Sequence, residues 1–215
     1  MRRAGNIKDH RVILASASPR RRMLLAQIGL PFDVVESRAP EPAALLADTP
    51  EDHVQEAAAR KALDVVRRAG HGLVIGADTV VCVDGQVLGK PHSAREARRM
   101  LRHLSGKAHT VYTGIAIGRA GKRSATEPPR EPSQARELME LTGYEATVVT
   151  MRQVSRREIS AYVDTGEPLD KAGAYAIQGR GAVLIESIRG CYSNVVGLPL
   201  AKLAELLAQL GIRVL

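Results

Sequence analysis

Serine hydroxyls and arginine side chains are concentrated in one short stretch, Ser16-Ala17-Ser18-Pro19-Arg20-Arg21-Arg22. The largely apolar stretch from Arg11 to Ala15 predicts a strand before it, and its Ser-Pro pair predicts the start of a helix. Hydroxyls, guanidinium groups and the backbone N–H groups of a helix start are the donors that bind phosphate. We therefore expect Ser16, Ser18 and Arg21 to bind phosphate. An ordinary solvated helix start would account for this segment equally well.

Asp78 stands in an otherwise apolar segment, Leu73 to Val83, which predicts one strand or a pair of strands broken near Gly76. An unpaired carboxylate is costly to bury. Asp78 therefore needs a metal ion, a cation or an exposed cleft. The alternative is a strand-end aspartate that is hydrogen-bonded by turn amides.

Lys61 lies in the middle of the apolar stripe of a predicted helix that begins at Thr49-Pro50 and runs to about Ala69. Val54, Ala58 and Val65 share its arc at helical spacing. Such a lysine either extends its stem toward the helix end or points into a cleft, where it can neutralise a phosphate.

Two loop segments carry further polar groups. Lys90 follows a predicted hairpin in Gly89-Lys90-Pro91, which could also be a plain turn. The segment Thr165 to Gly179 has too many polar groups and glycines for a core segment and is typical of a site loop. Its Gln178 offers a donor and an acceptor together, the pattern that reads the edge of a pyrimidine base, although it could equally tie down its own loop.

Composition limits the class of protein. The 215 residues carry a formal charge of +8, which favours polyanionic ligands, but only 3% are aromatic, so a base-stacking platform for single-stranded nucleic acid is not expected. Cys82 and Cys191 form no CxxC pair, and the six histidines show no ligand spacing and are expected at the surface. With no apolar run long enough for a membrane span or a signal peptide, we expect a cytoplasmic protein.

Helix and strand signals alternate along the chain and predict an α/β fold with a mixed central sheet flanked by helices. We expect one domain over residues 1–215, with a basic N-terminal extension at 1–10. The segment Arg119 to Gly143 is interpreted as an insertion loop, with a short helix from Ser133 to Leu141.

Taken together and in this order, the motifs resemble the Maf family of nucleoside triphosphate pyrophosphatases, named for septum formation. The motifs that carry the resemblance run from about Val12 to Leu206 and are Ala-Ser-Ala-Ser-Pro-Arg-Arg, Gly76-Ala77-Asp78-Thr79, Gly89-Lys90-Pro91, Leu104-Ser105-Gly106-Lys107, Tyr112-Thr113-Gly114, Gly166 to Tyr175, Ile177-Gln178-Gly179 and Val195 to Leu200.

The resemblance implies an inosine-triphosphatase-like body with two lobes around a cleft. It implies cleavage of a nucleoside triphosphate between the α and β phosphates, with Mg²⁺ or Mn²⁺ as cofactor, and a homodimer. The residues that match family positions are Asp78 as proton acceptor and metal ligand, Arg20, Thr79 and Gln178 as specificity residues of the dTTP and UTP branch, and Ser18, Arg21, Lys61 and Lys90 in the cleft.

Two departures from the family pattern stand out. The acidic stretch expected after Ser37 is reduced to Glu41, the second expected metal ligand, and the Arg119–Gly143 segment is long for the family. The open alternatives are the same chemistry on 7-methyl-GTP or CTP, and a nucleotide- or nucleic-acid-binding regulator of septum formation with little turnover.

Overall fold

The computed structural model describes residues 5–7, 10–42, 45–121 and 139–215. Its helices are α1 (Pro19–Gln27), α2 (Pro50–Arg68), α3 (Ala94–Leu104), α4 (Arg156–Asp164), α5 (Tyr192–Val196) and α6 (Leu200–Gln209). Its strands are β1 (Gly5–Asn6), β2 (Val12–Leu14), β3 (Asp33–Val34), β4 (Gly72–Val83), β5 (Gln86–Leu88), β6 (Ala108–Ala120), β7 (Leu141–Met151), β8 (Ile185–Arg189) and β9 (Ile212–Arg213). Short 3₁₀ helices occupy Glu167–Asp170, Ala172–Ala174 and Gly179–Leu184.

The main sheet is mixed, with the strand order β3-β2-β4-β6-β7-β8 and with β5 paired to β4. Strand β2 runs parallel to β3 and β4, whereas β4 with β5 and β7 with β8 are antiparallel. Helices flank this sheet, so the predicted α/β class is confirmed. Among the described residues, no helix is both long and apolar enough to cross a membrane.

The chain divides into two compact units. The first comprises Met1–Asp78, Thr113–Glu145 and Gly197–Leu215, and the second comprises Thr79–Tyr112 and Ala146–Val196. The single domain, with its cleft between two lobes, stays a prediction.

Helix α2 lies unusually close to the strands of the first unit. A Cβ atom at Gly76 on β4 would lie 2.4 Å from the carbonyl oxygen of Ala58, and one at Gly114 on β6 would lie 2.2 Å from that of Val54. Both contacts are too short for any side chain, so these two positions require glycine. The alanines of α2 complete the fit from the helix side, because Ala58 and Ala62 are fully buried.

The second unit has its own apolar core. Helices α3 and α4 contribute Leu101, Leu104 and Ile159, which pack with residues of β4 and β7 such as Val81 and Val149. Both helices begin with a serine cap, as the Ser-x-x-Glu patterns at Ser93 and Ser155 predict: Ser93 accepts from the Glu96 amide, and Ser155 forms a complete capping box with Glu158.

Several predicted boundaries need correction. Strand β4 is continuous through Gly76, and the ends of the expected insertion are strand, since β6 extends to Ala120 and β7 begins at Leu141. The remainder of that insertion, 122–138, lies outside the described residues, as does most of its predicted short helix. Part of the expected N-terminal extension is ordered: β1 pairs in parallel with β9, and Ile7 is fully buried.

Candidate active site

Ser16 and Arg21 are held together where β2 leads into α1. The buried Ser16 hydroxyl accepts hydrogen bonds from the Ser18 amide and from Arg21 Nη1, both at 3.2 Å. Arg21 Nε also donates to the carbonyl oxygen of Gly197 at 2.7 Å. Burial holds the pKa of Arg21 below its ordinary value, and the opposing effect of nearby Asp78 only partly offsets this. These bonds fix the orientation of the guanidinium group.

Ser18 occupies the predicted N-cap position with extended backbone, but its hydroxyl makes no capping bond to α1 within the described part of the chain. The local hydroxyl contact is made by Ser16, which accepts from the Ser18 amide. Arg20 is half-buried and lies close enough to Arg21 to lower the pKa of Arg21.

Lys61 bridges two carboxylates. Its Nζ donates to Asp78 Oδ1 at 2.6 Å and to the two carboxylate oxygens of Glu41 at 3.2 and 3.3 Å. The Lys61 and Asp78 side chains are only 14% and 11% exposed, so this pair is shielded from water, whereas the Glu41 side chain is 58% exposed. Lys61 thus does not extend to the helix end, and the close approach of α2 to β4 places its ammonium group against Asp78.

The loop that carries Glu41 is tied to α2 on both sides. Before Glu41, the Arg38 amide donates to Asp64 Oδ2 at 2.8 Å. After it, the Leu46 amide donates to His53 Nδ1 at 3.0 Å. Glu41 is therefore anchored at two points of the helix that also carries Lys61.

The expectation that all histidines lie at the surface is wrong for His53 and His109, which are 5% and 3% exposed. Burial lowers the pKa of His53, with opposing contributions from Asp78 and Lys61. His53 was not among the predicted site residues, although its spacing from Ala57 and Lys61 places it on the same buried arc of α2.

The other predicted residues belong to the second unit. Thr79 follows Asp78 on β4 and is half-buried, and Lys90 is exposed just after β5. The Gly89 carbonyl oxygen accepts from the Gly173 amide at 3.0 Å, which joins the Lys90 segment to the Gly166–Gly179 region. Gln178 is half-buried and immediately precedes the 3₁₀ helix Gly179–Leu184.

The donor set for a metal ion is small. Glu41 and Asp78 both contact Lys61 Nζ, so their carboxylates lie near one another. Over the described residues, no cluster of three or more histidine, cysteine, aspartate or glutamate side chains could hold an ion. Mg²⁺ is commonly held by one or two carboxylates together with substrate phosphates and water, and the two carboxylates fit that pattern.

A surface cavity of about 650 Å³ in the first unit lies elsewhere. It is formed by the start of α2, the start of β7 and α6, and its charged lining consists of Glu51, Asp52, Glu205 and Lys202. This mainly acidic lining does not suit a triphosphate, and the cavity contains none of the predicted site residues.

Comparison with known proteins gives a consistent result. The family model described as "Maf-like protein" matches residues 11–210. A dTTP/UTP pyrophosphatase of Moorella thermoacetica is 49% identical over 95% of this chain and 97% of its own length. Proteins of the same name from Symbiobacterium thermophilum and Gloeobacter violaceus are each 48% identical, over 93% and 95% of this chain and over 94% and 98% of their own lengths.

Two solved structures are also similar at 16% identity. A nucleoside-triphosphatase (dITP/XTP pyrophosphatase) from Mycobacterium abscessus gives a TM-score of 0.42, with 93% of this chain and 94% of that chain covered. A HAM1 protein from Coxiella burnetii gives 0.46, with 94% and 96% covered.

Proposed function

Because the chain belongs to the Maf-like protein family, we propose that it is a nucleoside triphosphate pyrophosphatase that hydrolyses dTTP and UTP to the monophosphate and pyrophosphate. The observation that carries this proposal is the shielded Lys61–Asp78 pair in the unit that also holds Ser16 and Arg21. Relatives with 48–49% identity that bear the name dTTP/UTP pyrophosphatase support the substrate.

The triphosphate binds to the donors at the start of α1. Ser16, Ser18 and Arg21 supply hydroxyl and guanidinium groups there, and the helix dipole adds a partial positive charge at the start of α1. Arg21 needs little reorganisation to bind a phosphate, because Ser16 and Gly197 already hold it. Preorganised donors of this kind stabilise the charge that develops during phosphoryl transfer.

Asp78 accepts a proton from the attacking water. The water oxygen forms a bond to the α-phosphorus, the bond from that phosphorus to the oxygen bridging to the β-phosphate breaks, and pyrophosphate leaves with the bonding electrons. Lys61 donates to the same carboxylate at 2.6 Å and so orients it toward this task. Lys61 and Lys90 offset the charge on the departing pyrophosphate.

Glu41 and Asp78 would hold the Mg²⁺ or Mn²⁺ ion. The bound ion supplies charge neutralisation of the phosphate oxygens. Mn²⁺ binding followed by electron paramagnetic resonance tests this assignment without any turnover. Glu41→Gln and Asp78→Asn should each weaken Mn²⁺ binding, whereas Glu51→Gln in the separate cavity should not, and unchanged affinity in the first two variants would reject the site.

Base selection is assigned to Arg20, Thr79 and Gln178. Gln178 carries the main role, because its side-chain amide presents a donor and an acceptor to the pyrimidine edge. A homodimer in the cytoplasm completes the proposal, and light scattering of the purified protein tests the dimer.

Pyrophosphate release from dTTP, UTP, CTP, GTP, ATP and 7-methyl-GTP, with and without Mg²⁺ or Mn²⁺, tests the function. The fastest release is expected with dTTP and UTP in the presence of the ion. Preference for another base would keep the chemistry and reject the specificity assignment. If the folded protein released no pyrophosphate but bound nucleic acid in a salt-sensitive manner, the regulatory alternative would replace the enzyme.

A further inference from the structure

Gln178 lies on irregular backbone, where no strand ladder fixes its position. Its backbone is extended, and the 3₁₀ helix Gly179–Leu184 begins immediately after it. A side chain that must discriminate bases by hydrogen bonding has to be held in a defined orientation. The backbone on each side of Gln178 therefore needs its own anchors.

Glu167 anchors the segment after Gln178. Its carboxylate accepts hydrogen bonds from the amides of Arg180 and Gly181, both at 3.0 Å, one on each oxygen. Burial raises the pKa of Glu167, but the bonds from Gly181, Arg180 and the Tyr162 hydroxyl together hold that pKa below its ordinary value. The carboxylate is thus ionised at neutral pH, and its bonds to the amides are charge-assisted.

Tyr162 on α4 anchors the segment before Gln178. Its hydroxyl donates to Glu167 Oε1 at 2.9 Å and accepts from the Ala176 amide at 3.2 Å. Tyr162 is buried, with only 6% of the residue exposed. The amides two residues before and two residues after Gln178 are therefore bound to one pair of side chains, Tyr162 and Glu167.

Glycines allow the segment to close around this pair. A Cβ atom at Gly181 would lie 2.6 Å from the Tyr162 hydroxyl oxygen and 2.3 Å from the carbonyl oxygen of Ala176. Gly179 has a φ of +68°, and a Cβ atom there would lie 2.9 Å from Glu167 Oε2. The backbone just after Gln178 thus packs against the Tyr162–Glu167 pair with no room for a side chain at Gly179 or Gly181.

We propose that Tyr162 and Glu167 are positioning residues that fix the orientation of Gln178 and thereby set which base is accepted. This inference rests on the proposed function, because it requires Gln178 to contact the base. Their contacts with the amides of Ala176, Arg180 and Gly181 mean that each acts through the backbone of the Gln178 segment.

The experiment compares kcat/KM for UTP, dTTP and CTP in the wild type, Glu167→Gln and Tyr162→Phe. Both variants should lower the ratio of UTP to CTP by about tenfold, while kcat for dTTP stays within about threefold of the wild type. Tyr162→Phe removes a single oxygen atom and keeps the test valid if Glu167→Gln folds poorly, which a thermal melt of each variant shows.

Glu158→Gln is the matched control. Glu158 is another carboxylate of the second unit that accepts backbone and hydroxyl hydrogen bonds, here from Ser155, and it also pairs with Arg152. Its loss should lower the melting temperature without changing the base ratio. A purely structural role for Glu167 would give the same pattern as this control.

A double variant shows whether Glu167 affects the base ratio through Gln178 or through a general change in the protein. In a Gln178→Ala background, adding Glu167→Gln should leave the UTP-to-CTP ratio unchanged, because the side chain it orients is absent. A further change of ratio in that background would overturn the inference. If the wild-type enzyme prefers pyrimidine nucleotides but both single variants keep its UTP-to-CTP ratio, the inference is also overturned. If the wild-type enzyme releases no pyrophosphate, the proposed function itself is overturned.

Discussion

The two compact units hold their candidate site residues by different means. In the first unit, side chains bind one another directly: Lys61 pairs with Asp78 and Glu41, and the Ser16 hydroxyl accepts from Arg21. In the second unit, the side chains of Tyr162 and Glu167 bind the backbone amides on either side of Gln178, so that Gln178 lies on a fixed segment. Direct ion pairing suits groups that must neutralise phosphate, whereas backbone anchoring suits a group that must distinguish one base from another.

This difference predicts that variants of the Lys61–Asp78–Glu41 and Ser16–Arg21 contacts change the rate on every substrate alike. Variants around Gln178 should instead change the preference among substrates. The predictions below test that contrast, from the largest effect to the smallest.

Asp78→Asn should lower kcat about 100- to 10,000-fold on every nucleotide, because it removes the proton acceptor. The fold should persist, since Lys61 keeps its contact with Glu41. Pyrophosphate release and circular dichroism measure the two effects. Asp33→Asn is the control, because Asp33 belongs to an exposed ion pair with Arg11 in the same unit, and turnover equal to that control would contradict the role of Asp78.

Gly76→Ala should lower the free energy of unfolding by about 3 kcal/mol, because its Cβ atom forces α2 away from β4. Since that approach places Lys61 against Asp78, kcat should fall with all bases while the UTP-to-CTP ratio stays constant. Urea denaturation and pyrophosphate release measure the changes. Gly70→Ala, where nothing lies within 4 Å of the added Cβ, should leave both unchanged. A selective loss on one base in Gly76→Ala would break the contrast between the units.

The two units also bury one histidine each, and that of the second unit makes stability depend on pH. His109 Nε2 lies 2.7 Å from the Tyr175 hydroxyl, and burial lowers the His109 pKa from 6.5 to about 4. Between these values the unfolded chain binds a proton that the folded chain does not, so stability falls as pH drops below 6.5 and levels off below 4. The expected loss from this group between pH 7.5 and pH 5 is about 2 kcal/mol.

Chemical denaturation at both pH values measures this loss, and His109→Gln should remove it. Carboxylates with lowered pKa, such as Glu158 and Glu167, contribute stability that disappears only at lower pH, as they become protonated. An equal pH dependence in the wild type and the variant would show that His109 is not the group responsible.

Gln178→Glu should change the ratio of UTP to GTP hydrolysis by about tenfold, because a carboxylate offers acceptors but no donor to the base. The rate on the best substrate should change less than the ratio. Competition between the two nucleotides in one reaction measures the ratio directly. An unaltered ratio would reject base reading by Gln178 and with it the distinction between the units.

Much of the fold follows from local sequence signals. The serine caps at Ser93 and Ser155 and the apolar arc of α2 predicted the helices, because caps and periodicity act over a few residues. The ends of the Arg119–Gly143 segment were wrongly predicted as loop. Pairing with neighbouring strands extends β6 and β7 beyond their local propensity.

The candidate site divides in the same way. Asp78 and Lys61 could be selected from the sequence, because a charged group within an apolar segment needs a specific partner. Three other residues could not be selected from the sequence, because each binds a backbone amide that is distant along the chain. His53 binds the amide of Leu46, 7 residues away, Tyr162 that of Ala176, 14 residues away, and Glu167 that of Arg180, 13 residues away.

The sequence by itself determined the helices, the α/β class, the family and the residue types that could bind a triphosphate. Only the tertiary structure decided which of these groups meet. Gly76 and Gly114 let α2 approach the strands closely enough for Lys61 to reach Asp78. Glu167 holds the Gln178 segment by accepting a hydrogen bond from the Arg180 amide, which lies thirteen residues further along the chain. Local patterns encode what a residue can do, whereas contacts between distant segments depend on packing distances of a few tenths of an ångström that no local pattern specifies.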